Sequence, residues 1–332
     1  MRAAWYECLG HAADVLTVGE TETPSPGSGE VLVRVAASGI NPSDTKKRAG
    51  WLGGRLEYPR VIPHSDGAGT VKATGEGVAS TRVGERVWLY NAQHGRADGT
   101  AAEYVALPAE LAIPLPDGVS FEEAACLGVP AQTAHYAVLW AGPVRGKYVL
   151  VQGGAGAVGE YAVQIATLSG AEVIATVSSD EKAAIAREAG AKTVLNYRKE
   201  PDLVAAILAA TNGHGVDHIA EVDLGTNAEL DAAIIAPRGT IGTYSSTRAP
   251  KFEFDYYGFG YKGARISFTQ VYMLTHEERA VVIADLTQWM QSGALKHRMA
   301  KVFSLEQITE AHEILEEGGL IGNVVVVIYP KE

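Results

Sequence analysis

The sequence predicts an α/β fold: a doubly wound parallel sheet set inside a mainly β domain. Three observations carry this. A strand, a glycine turn, a helix and a second strand follow one another between Lys147 and Lys182. Strand and helix signals then alternate as far as Tyr244. Short strands and turns fill the chain before Glu122, and mixed structure returns only in the tail. Alternating β and α elements build parallel sheets, and runs of short strands build a separate β layer.

In order, Glu30–Ala37 alternates at period two after a Pro/Gly-rich turn at Pro24–Gly29, so it is predicted as a half-buried strand. Gly67–Thr74 and Arg86–Tyr90 add strand-like runs, and the proline-rich Pro108–Gly118 is a connection. Pro130 is expected to open a helix running to Trp140. Tyr148–Gln152 is a short apolar run suited to a buried parallel strand. Helices are expected at Lys182–Ala189, Asp202–Thr211 and Ala228–Ile235, the last closed by Pro237-Arg238-Gly239. Strands are expected at Thr193–Asn196, Asp217–Glu221 and Thr240–Tyr244, with edge-strand character at Arg265–Tyr272. The tail adds helices about Glu277–Ser292 and Leu305–Glu316, then a strand at Val324–Tyr329.

The glycine turn carries the clearest chemistry. Gly154, Ala155, Gly156, Ala157, Val158 and Gly159 form a G-x-G-x-x-G between a strand and a helix. Early glycines allow a tight turn and close approach of backbone to phosphate, and the last lets the helix pack on the strand. The helix start then offers N–H groups and a positive dipole end to an anion. NAD-preferring sites carry an acid at the end of the second strand, roughly 20 residues on. Here that strand ends at Val177, Ser178 and Ser179, with Lys182 close behind. Hydroxyls and a lysine suit a 2′-phosphate, which favours NADPH. Capping of the next helix by Ser179 and Asp180 is an equally ordinary use of the same residues.

The bounds agree with a soluble two-domain enzyme. The chain has 332 residues, 37 glycines and a net charge of −11 from 28 basic and 39 acidic residues. That balance disfavours nonspecific binding to nucleic acid or to anionic membranes. No apolar stretch is long enough to span a bilayer, and the start lacks a signal-peptide core. Two cysteines, Cys8 and Cys126, allow no Cys₄ zinc cluster and read as reduced thiols, so a cytoplasmic location is expected.

Further motifs carry a resemblance. Gly39-Ile40-Asn41-Pro42-Ser43-Asp44, Pro63-His64-Ser65-Asp66-Gly67-Ala68-Gly69, Asp98–Tyr104, Gly128–Ala134 and Val194–Arg198 accompany the glycine turn. With these the chain resembles the medium-chain dehydrogenase/reductases, and within them the zinc-free, zeta-crystallin-like quinone oxidoreductases. The resemblance covers nearly the whole chain. It implies a Rossmann dinucleotide-binding domain at 127–270 inserted in a GroES-like catalytic domain at 1–126 plus 271–332. It also implies a homodimer pairing through Arg265–Tyr272. Zinc-dependent relatives use Cys, a His-Glu pair and another Cys or His, where this chain has Asn41, Ser65-Asp66 and Val129. Three good protein ligands are wanting there, so no metal is expected. Without a Lewis acid, simple alcohol oxidation is disfavoured and transfer to a conjugated acceptor remains.

The resemblance also places residues. Ser178, Lys182 and Tyr197 are expected around the 2′-phosphate. Tyr244 and Ser245 should flank the adenosine or pyrophosphate. Phe268, Thr269 and Gln270 should run beside the nicotinamide, with Thr133 and Asn323 approaching the cofactor. Asn41, Asp44 and His64 are the catalytic candidates: an amide donor, an ordering or capping acid, and a proton relay or loop partner. Trp51, Tyr90, Asn91 and His94 are candidates for the substrate cleft wall. Where many relatives carry a Tyr, this chain has Lys46 followed by Lys47 and Arg48, read as a solvated face or an anion site. The expected activity is NADPH-dependent reduction of a quinone or α,β-unsaturated carbonyl. The alternatives are an enoyl-thioester reductase and an NADPH-binding protein with a structural or RNA-binding role.

Overall fold

The computed structural model describes residues 1–328. By packing, the chain divides into two compact units, one from Met1 to Pro130 that resumes at His297, the other Ala131–Lys296. The expected return at 271 therefore moves to His297. The intervening helix belongs with the parallel sheet: Arg279 donates to Gln132 Oε1 and to the Val271 carbonyl, each at 2.7 Å. Gln164 holds Lys296 through two hydrogen bonds, of 3.1 and 2.8 Å.

The first unit begins with β1 (Arg2–Trp5), α1 (Ala12–Val15) and β2 (Thr17–Glu20). Next come β3 (Glu30–Ile40), α2 (Pro42–Ala49), β4 (Asp66–Thr74), β5 (Arg86–Leu89), β6 (Tyr104–Pro108), β7 (Ala112–Pro114) and α3 (Phe121–Ala124). In β3 every second side chain from Val31 to Ala37 is buried, as the alternating sequence requires. Two neighbours press so closely that a Cβ at Gly39 would strike the Ala125 carbonyl, and one at Gly69 the Arg34 carbonyl. Helix α2 opens with Asn41 and Pro42 and stops at Gly50, whose φ of 70° is left-handed.

A wide π-type turn over Leu127–Ala131 ends the first stretch of the first unit, and α4 (Gln132–Leu139) follows in the second. Pro130 lies inside that turn, so the regular helix starts later than expected. There follow β8 (Tyr148–Val151), α5 (Ala157–Leu168), β9 (Glu172–Val177), α6 (Asp180–Glu188), β10 (Thr193–Asn196), α7 (Leu203–Ala210), β11 (Val216–Glu221), α8 (Leu224–Ile234), β12 (Ile235–Thr243), α9 (Tyr256–Gly260), β13 (Arg265–Phe268) and α10 (His276–Gln291). The six strands pair in parallel in the order β10-β9-β8-β11-β12-β13. The order reverses between β8 and β11, which is the switch point where such sheets bind ligands at their carboxyl ends. Ile207, Ile219, Ile234 and Ile241 fill the core beneath it.

Three expectations are corrected here. Helix α8 begins at Leu224 rather than Ala228, because Asp223 sits at its start and Gly225 is accommodated. Pro237-Arg238-Gly239 lies within the span of β12 instead of closing a helix. Arg238 takes a positive φ of 63°, and the register against β11 shifts there. Regular structure in the predicted edge strand ends at Phe268.

The first unit closes with β14 (Met299–Ser304), α11 (Ile308–Glu317) and β15 (Asn323–Val327). β15 pairs antiparallel with β3, so the tail completes the first sheet. Tyr329, the end of the predicted last strand, lies outside the described residues.

Candidate functional site

The glycine turn joins β8 to α5, and its four glycines do three different jobs. Gly153 has φ 69° and makes the turn. A Cβ on Gly154 would sit 2.8 Å from the Ala175 Cβ, and one on Gly159 would strike the Gly153 carbonyl. Both let α5 and β9 close on the turn. Gly156 is different: a Cβ there meets only the Gly153 oxygen, at 3.5 Å. Folding alone therefore does not demand glycine at 156. Gly156 is also the residue before α5 and has no side chain to cap it, so the first N–H groups of the helix receive no side-chain acceptor. Ala155 is buried, while Ala157 and Val158 are half-buried at the helix start. Such an uncapped helix start can receive an anion.

Ser178, Ser179, Tyr197, Tyr244, Ser245, Phe268, Thr269 and Gln270 lie at the same carboxyl edge of the sheet, while Thr133 and Asn323 lie elsewhere. Ser178 and Ser179 follow β9. Ser179 Oγ accepts the Lys182 N–H at 3.2 Å, so it is the cap of α6. The nearby acid, Asp180, is held by Lys199 at 2.6 Å and Asn196 at 3.4 Å. Lys199 beside it keeps the Asp180 carboxyl below its ordinary range. Tyr197 follows β10, donates its N–H to the Val177 carbonyl at 3.0 Å, and exposes its ring. Tyr244 and Ser245 follow β12, with the Tyr244 N–H on the Glu221 carbonyl and Ser245 Oγ 2.9 Å from Thr247 Oγ1. Phe268 is 72 % exposed and Gln270 is exposed, whereas Thr269 is buried with no partner for its hydroxyl. Thr133 is buried on α4. Asn323 lies in the first unit, where its amide donates to the Arg298 carbonyl at 3.1 Å.

A buried acid pair beneath the turn escaped sequence reading. Asp231 accepts from Gln152 Nε2 at 2.8 Å, and Glu221 from Asn227 Nδ2 at 2.9 Å and from the Asp223 N–H. Burial raises both carboxyls, and the charge of Glu221 raises Asp231 further, whereas a hydrogen bond from Asp231 lowers Glu221. Glu221, with two donors, keeps the negative charge, and Asp231 holds the proton. The only sequence signal was an acid ending β11, which reads as ordinary polarity.

In the first unit the catalytic candidates are turned inward. Asn41 donates from Nδ2 to Asp66 Oδ2 at 2.7 Å and from its backbone to Asp44 Oδ2 at 2.8 Å. One of its two amide N–H groups is therefore held by Asp66, and the residue is buried. Asp44 is the acid of a capping box, and burial pushes its carboxyl up to about 6. His64 is fully buried, with Nδ1 2.8 Å from Ser38 Oγ and Nε2 2.9 Å from His312 Nε2. Both nitrogens have internal partners, and burial pushes its pKa down to about 3.

The expected wall residues divide. Tyr90 is 4 % exposed, lies tilted against Trp88 and donates to the Glu110 carbonyl at 3.1 Å, which fits a packing role. Asn91 is buried with a left-handed φ of 53°. His94 and Trp51 are exposed, and Lys46 Nζ lies 4.5 Å above the Trp51 ring. The basic run is not one solvated face or anion site. Arg48 is buried against the Gly10 carbonyl and Glu316, and Lys47 donates to Gln93 at 3.0 Å.

The positions that hold zinc in relatives do not fit it here. Asp66 Oδ2 receives N–H donors from both Asn41 and Val129, each at 2.7 Å, where a cation would need lone pairs. Burial pushes the Asp66 carboxyl up to about 8, the neutral form at pH 7. Among the described residues no group of three or more His, Cys, Asp and Glu is arranged to hold a metal.

A switch-point glycine turn under a six-stranded parallel sheet defines a dinucleotide-binding protein. Comparison with known proteins sharpens this. Residues 27–117 match the alcohol dehydrogenase GroES-like domain, and residues 157–288 match the zinc-binding dehydrogenase family. A quinone oxidoreductase of Sus scrofa is 32 % identical over 307 residues, covering 92 % of this chain and 91 % of that one. The Escherichia coli quinone oxidoreductase, solved in complex with NADPH, superposes with a TM-score of 0.87 at 27 % identity, covering 99 % of this chain and 100 % of that one. An NAD-dependent alcohol dehydrogenase superposes with a TM-score of 0.89 at 29 % identity, covering 99 % and 100 %. The chain belongs to the quinone oxidoreductase family of medium-chain dehydrogenases/reductases and is an oxidoreductase. No helix among the described residues is long and apolar enough to cross a membrane.

Proposed function

We propose that this enzyme uses NADPH to reduce a quinone or an α,β-unsaturated carbonyl without zinc. The observation that carries the cofactor choice is the end of β9. No acid stands at Ser178, and Asp180 is paired with Lys199. The NADPH-bound relative from Escherichia coli supports the same choice.

When bound, NADPH supplies a hydride, and with it the electron pair. The chain's own residues hold and orient it. The α5 N-terminus and the open space over Gly156 suit the pyrophosphate. Ser178, Lys182 and Tyr197 suit the 2′-phosphate, and Thr133, Phe268, Thr269 and Gln270 the nicotinamide end. Asp66 and Asp44 hold Asn41 and the start of α2 in place. No buried acid here is offered as the proton donor. A conjugated acceptor spreads the arriving charge over its π system, so its oxygen takes a proton from solvent.

Lys182→Ala should weaken NADPH binding about tenfold and leave NADH within about twofold, since only NADPH carries the extra phosphate charge (roughly 1.4 kcal/mol per tenfold). Titration of both nucleotides checks this, and equal losses would remove Lys182 from the phosphate site. Commitment of Arg48 to Gly10 and Glu316 weighs against the enoyl-thioester reading, which needed that cluster for phosphate.

We also propose a homodimer through β13, an edge strand whose outer side has no partner strand among the described residues. Sedimentation equilibrium should give twice the chain mass, and a monomer at micromolar concentration would remove the proposal.

A further inference from the structure

The nucleotide-binding unit carries a cavity that the proposed chemistry does not use. It lies along α4 and α10, reaches the Gly142–Arg145 loop, and has a volume of about 510 Å³. That size suits a small organic molecule. Leu139, Val144, Val281 and Val282 give it an apolar lining. None of its lining residues belongs to the cofactor set above.

Its polar groups are specific. Glu278 and Asp285 lie two turns apart on α10, with the two valines between them. Tyr136 donates its hydroxyl to Glu278 Oε1 at 2.6 Å and holds that carboxyl below its ordinary range. His135 Nε2 lies 2.8 Å from Asp285 Oδ2. Burial lowers the His135 pKa, so the ring is neutral and donates this bond, leaving Nδ1 as an acceptor. Two atoms of lining residues are buried without a hydrogen-bond partner: His135 Nδ1, an acceptor, and Trp140 Nε1, a donor. Two carboxylates stand against one guanidinium, Arg145, so the lining carries one net negative charge.

We propose that this cavity binds an organic monocation: a primary or secondary amine on an aromatic or alicyclic body. Its ammonium matches the carboxylate of Glu278 or of Asp285. Its body matches Leu139, Val281 and Val282. A carboxylate ligand of the same shape would meet two like charges instead.

The test is titration calorimetry of the full chain with 2-(2-naphthyl)ethylamine, and with 2-naphthylacetate as the anionic match. We expect one saturable amine site per chain, with a Kd of about 0.1–1 mM, and at least tenfold weaker binding of the acid. Asp285→Asn should weaken the amine about fivefold by removing one charge-assisted contact. Val281→Arg should abolish binding by filling the cavity. Val281 is 58 % exposed, so this variant should fold, and an unchanged NADPH titration checks that it does. No saturable amine binding, equal binding of amine and acid, or full amine binding by folded Val281→Arg would each overturn the proposal.

Discussion

Gly156→Val should abolish NADPH binding, with a loss of at least about 100-fold in affinity, while shifting the melting temperature by no more than about 2 °C. The two halves of this result come from one observation. A Cβ at 156 meets nothing closer than the Gly153 oxygen at 3.5 Å, so the protein itself has room for it. The backbone at 156, with φ −77° and ψ 168°, is open to any residue. The side chain then occupies the space over the α5 N-terminus. Gly159→Val is the useful contrast: its Cβ strikes the Gly153 carbonyl, so that variant should lose stability as well as binding. Paired thermal melts and nucleotide titrations check both. Near-normal NADPH affinity in Gly156→Val would mean that the pyrophosphate lies elsewhere.

Asp66→Asn should stabilise the protein above pH 8 by roughly 3–5 kcal/mol and change it little at pH 4. Burial raises the Asp66 carboxyl to about 8 in the folded chain, against an ordinary value of 3.8. Between those values the folded state keeps a proton that the unfolded chain has released. Its binding of more protons makes stability fall as pH rises, by at most about 1.4 kcal/mol per unit, and the fall ends above the folded pKa. Asn mimics the neutral acid and removes that slope. It can also still accept from Asn41 and Val129 through its carbonyl. His64 and His218 act in the opposite sense at lower pH. Burial lowers them to about 3 and about 4, so their contributions rise with pH until the ordinary histidine pKa near 6.5. Urea unfolding of the two proteins at pH 5, 7 and 9 separates the terms, and a constant gap between them would contradict the buried-acid reading.

The parallel sheet was legible because its signals are local. Each strand from Tyr148 to Thr243 is a short apolar run beside a helix with its own start or stop. Ser179 ahead of α6 is one of these marks. The misreadings occur where a local breaker is overruled by packing. Pro237 reads as the end of a helix, yet a left-handed Arg238 lets β12 continue through it. Pro130 reads as a helix start, yet a π-type turn absorbs it. The second unit boundary depends on Arg279 reaching Gln132, a contact between residues far apart in sequence.

For the site, glycines and strand ends could be placed because backbone geometry follows from order. Side-chain roles could not. His64 reads the same whether it faces a substrate or, as here, lies against Ser38 and His312. Tyr90 likewise reads as a cleft aromatic until its hydroxyl is found on the Glu110 carbonyl. The acid pair of Glu221 and Asp231 is assembled by the packing of α8 on the sheet, which no single segment announces.

The most direct test of the central claim follows NADPH and NADH oxidation in parallel by absorbance. The acceptors are 1,4-benzoquinone, 9,10-phenanthrenequinone, an α,β-unsaturated aldehyde and crotonyl-CoA, each with and without a strong zinc chelator. The account predicts NADPH oxidation by a quinone or by the unsaturated aldehyde, slower oxidation of NADH, and rates that the chelator leaves unchanged. Loss of activity with chelator, or turnover confined to crotonyl-CoA, would contradict it.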